Sequence, residues 1–203
     1  MPCHKQFDVD ETLRKAGDLF WTQGYQATSM SDLLATMGIQ KGSFYNAYGS
    51  KHEVYLRALE QYVETVSEDA RRLVDGKSPL EALRAHLESI HQSCLGPAGH
   101  RGCMVLNCAL ELAYDDPQAQ SIVGRALARH EAVLRDLIHA GQRVGEIDAG
   151  VEVGPTVKAL MSMIMGMRIY SRSGSDPDAV KILAEQAIRL VDPDAPAASP
   201  IAG

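Results

Sequence analysis

Residues 29–51, SMSDLLATMGIQKGSFYNAYGSK, decide the fold. Ser29 and Asp32 have the spacing of a capping box, in which each side chain satisfies the other residue's free backbone N–H at a helix start. A helix beginning there runs to Met37, because Gly38 supplies the left-handed position that ends it. Gln40 to Tyr48 then read as a second short helix, and Ser50-Lys-His-Glu53 repeats the capping-box pattern to open a long third one. Two short helices joined by a glycine turn form the helix-turn-helix pattern, whose second helix enters the major groove of DNA.

The residue types of the second helix fit that placement. Gln40, Lys41, Ser43 and Asn46 are polar groups near its start, where side chains reach base edges; Gln and Asn suit adenine, and Lys suits guanine. Gly42 allows close approach of the helix backbone to DNA, and the hydroxyls of Ser29, Tyr45 and Tyr48 suit phosphate oxygens. Lys51 adds a positive charge beside the free N–H groups of a helix start, a phosphate-binding combination. Residues 38–52 contain Lys41 and Lys51 and no acid. Phe44 reads as core.

Working outward, residues 8–23 place Val9, Leu13, Ala16 and Phe20 on one side of an amphipathic helix, closed by Gly24. After Ser50 the long helix carries the stripe Tyr55, Leu59, Tyr62, Val66 and Leu73. Gly76 to Pro79 breaks the chain, and Leu80 to Leu95 forms a helix with Leu83, Leu87, Ile90 and Cys94 on its apolar side. A glycine-rich loop, 96–102, precedes a strongly apolar segment from Cys103 to Tyr114, which reads as a central buried helix. Asp116-Pro117 opens the next helix, reaching about Arg143. Pro155 to Ser171 is apolar nearly all round, and Asp178 to Val191 has the stripe Val180, Leu183, Ala187 and Leu190. A monomer surface cannot leave so much apolar area exposed. Leu160, Ile164 and Met167 with Val180, Leu183, Ala187 and Leu190 are therefore the expected dimer interface. Residues 192–203, rich in proline and alanine, read as a flexible tail. No strand pattern or repeat appears.

Composition limits the alternatives. The 203 residues are 45% hydrophobic and 23% charged, an ordinary globular balance with enough chain for a sizeable core. No apolar run approaches the ~20 residues of a membrane span, and the polar start is not a secretory signal, so the protein is expected in the cytoplasm. Four cysteines, Cys3, Cys94, Cys103 and Cys108, form no CxxC pair, and neither a metal site nor a cofactor is expected. The net charge of -6 requires that any DNA contact be focused. Glu88-x-x-His91 has the spacing of half a helical di-metal site, but the second Glu-x-x-His is absent. Nucleophile-elbow, phosphate-loop and dinucleotide fingerprints are absent too, so a helical metal-dependent enzyme is only a distant alternative.

Leu13, Ala16, Leu19-Phe20, Gly24-Tyr25, Thr28-Ser29-Met30, Asp32-Leu33, Met37-Gly38-Ile39, Lys41-Gly42-Ser43-Phe44-Tyr45 and Tyr48-Gly49-Ser50-Lys51 together resemble the TetR family of bacterial transcriptional repressors. The sequence departs from the family's usual pattern before the turn glycine and at Gln40, Ala47 and Tyr48, which bears on the bases read. The resemblance implies an all-α protein with an N-terminal three-helix helix-turn-helix domain, residues 1–56. A helical bundle, 57–191, would bind a ligand and dimerise. It further implies a homodimeric repressor on a palindromic double-stranded DNA operator, released by a small-molecule effector. Polar or soft groups on the apolar faces of the bundle are the ligand-binding candidates: His86, His91, Cys103, Asn107, Cys108, Glu111, Met161 and Met165. Cys103, at a helix start after His100 and Arg101, is also the candidate thiol of an alternative redox or electrophile sensor.

Overall fold

The computed structural model describes residues 7–174 and 176–192, and among them every regular element is helical. Cys3 and residues 193–203 of the expected tail lie outside the described residues. The chain splits into two compact units, Met1–Ser67 with Cys103–Ala126 and Glu68–Gly102 with Leu127–Gly203. Of the three chain positions where the division falls, two lie inside long helices, α4 (Lys51–Val74) and α7 (Pro117–Val144), and the third lies between Gly102 and Cys103; residue 56 lies within α4.

In the first unit α1 (Val9–Gln23) starts where Asp8 accepts hydrogen bonds from the N–H groups of Asp10 (2.9 Å) and Glu11 (3.1 Å). It buries Thr12, Ala16 and Phe20. α2 (Met30–Met37) and α3 (Lys41–Tyr48) contribute Leu33, Met37, Phe44 and Tyr48, each pair four residues apart on one helix face. α4 closes this core with Val54, Tyr55, Ala58 and Leu59. The Tyr55 ring meets those of Phe20 and Tyr25 edge-on at 5.1 and 4.9 Å. Further along α4, Val66 is exposed rather than in the core stripe.

The same unit contains α6 (Met104–Glu111), with Met104, Val105 and Cys108 buried, and the first turns of α7, with Ala119, Ile122 and Val123 buried. The apolar segment expected to be one buried helix from 103 to 114 is thus only two turns long. Leu110 is 82% and Tyr114 94% exposed. Leu110 falls outside the arc of α6 that carries Met104, Val105 and Cys108, and Tyr114 lies in the turn beyond the helix.

In the second unit α5 (Pro79–Leu95) has a capping box, Ser78 with Glu81, and proline in its first turn. Leu83, Leu87, Ile90 and Cys94 face the core as expected. α8 (Val153–Ser173) packs against both α5 and α9 (Pro177–Arg189). This arrangement corrects the expected dimer interface. Leu160, Ile164, Met167, Val180 and Ala187 are buried within one chain, and Leu183 and Leu190 pack against the same cluster. An apolar helix can satisfy several faces inside its own protomer when helices flank it on more than one side. The large apolar groups that these two helices leave exposed are Ile169, Tyr170 and Ile182. The 96–102 loop is held by hydrogen bonds from Ser171 Oγ to the Cys94 carbonyl and from Arg172 Nη1 to the Arg101 carbonyl, both 2.6 Å. Asp192, at the start of the expected tail, pairs with Arg84.

Candidate nucleic-acid interface

The reading head is built by its caps. Asp32 N–H donates to Ser29 Oγ (3.1 Å), while Ser29 N–H and Ser29 Oγ donate to Asp32 Oδ2 at 3.0 and 2.6 Å. These bonds hold the Asp32 carboxyl below its ordinary range. Ser29 is exposed, but its hydroxyl is engaged in this cap. Gly38 takes φ 68°, ψ 28° and donates its N–H to the carbonyls of Leu34 (3.0 Å) and Ala35 (3.2 Å), so α2 ends where expected.

α3 presents two faces. Inward, Phe44 is fully buried and its ring meets Tyr45 edge-on at 5.4 Å. Outward lie Gln40, Lys41, Gly42, Tyr45 and Asn46, with Ser43 half-buried beside them. Gln40 is the N-cap residue and makes no side-chain cap bond, which leaves its amide outside the helix's own hydrogen bonding. A Cβ at Gly42 would meet no atom within 4 Å, so nothing inside the chain requires the glycine. Tyr45 is 45% exposed.

Tyr48 corrects the sequence reading. It is 1% exposed, and its hydroxyl donates to the Val9 carbonyl (2.9 Å) and pairs with Thr12 Oγ1, tying α3 to α1. It is a core residue and not a phosphate contact. Burial raises its pKa.

Lys51 opens α4 with its ammonium 4.3 Å from the centroid of the Tyr25 ring. Partial burial lowers its pKa, against the opposing field of Glu111. Glu111 Oε2 in turn accepts the Tyr25 N–H at 2.7 Å. One residue along α4, His52 Nε2 pairs with the Asp116 carboxylate, which also caps α7 through the N–H groups of Gln118 (2.9 Å) and Ala119 (3.1 Å). Asp116 is held below the usual carboxylate range by these bonds, which outweigh its desolvation. Neither the Glu111 nor the His52 contact was visible in the sequence, because the partners are far apart in the chain.

The ligand-binding candidates do not form one cluster. Cys103, Asn107, Cys108 and Glu111 belong to the first unit, and His86, His91, Met161 and Met165 to the second. Cys103 is the N-cap residue of α6, and its sulfur accepts from the Tyr62 hydroxyl at 3.8 Å. Asn107 and Cys108 are buried, and burial pushes the Cys108 thiol up despite its bond to Tyr55. Glu111 is used by Tyr25. In the second unit His91 Nδ1 faces Glu88 at 3.5 Å, while its Nε2 is buried without a partner. Met161 is core, and Met165 is half-buried against it. His86 meets a residue the sequence did not single out: its Nε2 lies 2.8 Å from His130 Nε2. Among the described residues no group of three or more His, Cys, Asp or Glu could hold a metal ion. No described helix is long and apolar enough to cross a membrane.

A capped two-helix reading head with a polar outward face, together with a second helical unit, defines a helix-turn-helix DNA-binding regulator. Residues 13–58 match the family described as bacterial regulatory proteins, tetR family, and residues 79–187 match the tetracyclin repressor-like C-terminal domain. The chain belongs to the TetR family. It is 27% identical to the HTH-type transcriptional repressor ComR of Escherichia coli (strain K12), over 92% of this chain and 90% of that one. Among solved structures, a TetR transcriptional regulator from Chloroflexus aurantiacus superposes with TM-score 0.80 at 23% identity, covering 88% of this chain and 91% of that chain. A cysteine-substituted form of the TetR family regulator CifR, complexed with 26-base-pair double-strand operator DNA, superposes with TM-score 0.77 at 23% identity, covering 93% and 98%.

Proposed function

We propose that this chain is a cytoplasmic repressor that binds a palindromic operator as a homodimer and releases it when a small molecule binds the helical region beyond residue 56. The observation that carries the reading is the outward face of α3. Gln40, Lys41, Tyr45 and Asn46 stand exposed on a helix whose opposite face, Phe44 and Tyr48, is locked into the core. Lys41 and Asn46 read base edges, Tyr45 and Lys51 position the helix on phosphates, and Gly42 lets the backbone approach. Release needs a two-state shift in the spacing of the two reading helices; a 100-fold loss of affinity corresponds to ~2.7 kcal/mol of coupling.

Fluorescence anisotropy on DNA selected from a random pool tests this. A palindrome should emerge, Lys51→Ala should weaken all sequences alike with a shallower salt dependence, and Asn46→Ala should relax one base position per half-site. Selection of no sequence would refute the reading. Light scattering should give about twice 22.0 kDa. The expected interface is now the outward surface of α8 and α9, and Ile182→Glu, at a position 55% exposed in the single chain, should yield monomers. Leu160→Glu would unfold the protomer instead, since Leu160 is in its core.

A thiol sensor is the second reading, favoured by one observation: of the described cysteines only Cys103 is not buried. Selective alkylation of Cys103 with matching loss of DNA binding, abolished in Cys103→Ser, would establish it.

A further inference from the structure

We propose that His86, His130 and Arg168 form the polar end of the effector site, and that the effector is an organic anion: a carboxylate carried on an apolar body. The proposal rests on the ligand-responsive reading above and names the chemistry that the second unit would recognise.

The core of that unit is apolar, and three of its helices, α5, α7 and α8, each carry one of the three side chains, His86 buried and His130 and Arg168 half-buried. His86 comes from α5, is 6% exposed, and points Nε2 at His130 Nε2 of α7 at 2.8 Å, with the rings edge-on at 87°. A single proton on that N···N line satisfies both nitrogens and two do not fit, so the rings cannot both be cations, and the neutral pair is fully satisfied. One imidazole then donates between the two rings, and the other keeps its Nδ1–H as a donor for something else. Burial and the neighbouring charge of Arg168 both oppose protonation of the pair. The imidazoles therefore do not compete with Arg168 for an anion by becoming cations themselves.

Arg168 is the unmatched member. It is half-buried on α8, yet no described residue forms a hydrogen bond or ion pair with its guanidinium. Three cations of the same unit are matched: Arg172 by the Arg101 carbonyl, Lys158 by Glu131 at 2.5 Å, and Arg84 by Asp192. A charged group drawn partly out of water without an acceptor is costly, and a bidentate anion removes that cost. A metal cation does not fit, because only two nitrogens are offered and a guanidinium stands beside them. One guanidinium and one imidazole N–H match a carboxylate monoanion better than a phosphate dianion, which needs more donors. Met161 and Met165 precede Arg168 by seven and three residues, so all three share one face of α8, and Ile164 flanks them. The surroundings of the anion are thus soft and apolar.

The test uses the purified full-length chain with two probes, sodium octanoate and sodium benzoate, and their neutral counterparts octan-1-ol and benzyl alcohol. Calorimetry should show binding of at least one carboxylate and at least tenfold weaker binding of its alcohol. Arg168→Gln should weaken carboxylate binding at least tenfold, with Arg168→Lys between the two, and His130→Gln should also weaken it. The wild-type comparison of acid with alcohol needs no variant, so it decides even if Arg168→Gln does not fold. Equal binding of acid and alcohol, or no binding of either acid, overturns the proposal. Operator release is measured separately by anisotropy. Arg168-dependent carboxylate binding that leaves the operator complex intact would uphold the site and sink the ligand-responsive reading instead.

Discussion

Replacing Tyr48 and Tyr45 with phenylalanine, one at a time, separates the two faces of α3. In Tyr48→Phe the lost hydroxyl had donated to the Val9 carbonyl at 2.9 Å and paired with Thr12. Thr12 Oγ1 still donates to the carbonyls of Asp8 (2.8 Å) and Val9 (3.1 Å), so neither partner is orphaned. The cost is then that of an ordinary buried hydrogen bond, about 1 kcal/mol. For a chain of this length that lowers Tm by roughly 2–4 °C. Operator affinity at 25 °C should stay within about twofold, because Tyr48 is 1% exposed and cannot reach DNA. Tyr45→Phe should do the opposite: its ring is 45% exposed, so Tm should hold while affinity falls by about three- to tenfold for one lost phosphate bond. Differential scanning fluorimetry and anisotropy on the same preparations read both quantities. If Tyr48→Phe left Tm unchanged and weakened DNA binding more than Tyr45→Phe, the assignment of the inward face would be wrong.

Three further outcomes follow from the geometry. Gly38→Ala forces a Cβ onto φ 68°, costing about 1 kcal/mol of strain with no steric clash, whereas Gly42→Ala should leave stability unharmed and weaken DNA binding; thermal melts and anisotropy distinguish them. His86 and His130 are each held down to about 4 by burial and by Arg168, with His130 adding to the effect on His86. The unfolded chain binds their protons first, so stability is full above about pH 6.5 and is lost as pH falls toward 4, by up to about 1.4 kcal/mol per pH unit for each histidine. Denaturant titrations at pH 7.5 and 5.0 should show this loss reduced in His130→Gln, and equal losses in both proteins would contradict it. Glu111→Ala removes the acceptor of the Tyr25 N–H, so hydrogen exchange at that amide should accelerate at least tenfold, with Glu111→Gln restoring most of the protection; an unchanged rate would show that the bond is not formed in solution.

What the sequence disclosed was local. The caps at Ser29, Ser50 and Asp116 and the stop at Gly38 involve residues within four positions of each other, so spacing alone reveals them. Tyr48 was legible too: four positions beyond the core residue Phe44 it shares that residue's face, whereas Tyr45 does not. The apolar faces of α8 and α9 show a different limit. Periodicity states how much surface must be buried but not against which chain, and here α5, α8 and α9 bury it together. His130 and Arg168 carried no signal, since a lone histidine or arginine on a helix is ordinary until packing brings it to a partner.

The segment 103–126 bears on how the reading head is held. Inside the first unit, Glu111 accepts from Tyr25 at the corner after α1, Asp116 pairs with His52 in the first turn of α4, and Arg125 reaches Glu60 at 3.3 Å. Lys51, a proposed phosphate contact, lies over the same Tyr25 ring and in the field of Glu111. A neutral hydrogen bond of this kind contributes about 0.5–1.5 kcal/mol, and one to a charged group about 1.5–3. The ~2.7 kcal/mol needed for a 100-fold change in DNA affinity is therefore within reach of loosening the Glu111 and Asp116 contacts alone. The Arg125–Glu60 pair is exposed on both sides and contributes little. Lys51 is placed both by its position at the start of α4 and by the ring of Tyr25, whose backbone N–H Glu111 holds. A shift of α6 that broke this bond would free the Tyr25 N–H while its ring stayed packed on Phe20 and Tyr55, so the surface on which Lys51 rests would lose one of its supports and not all of them.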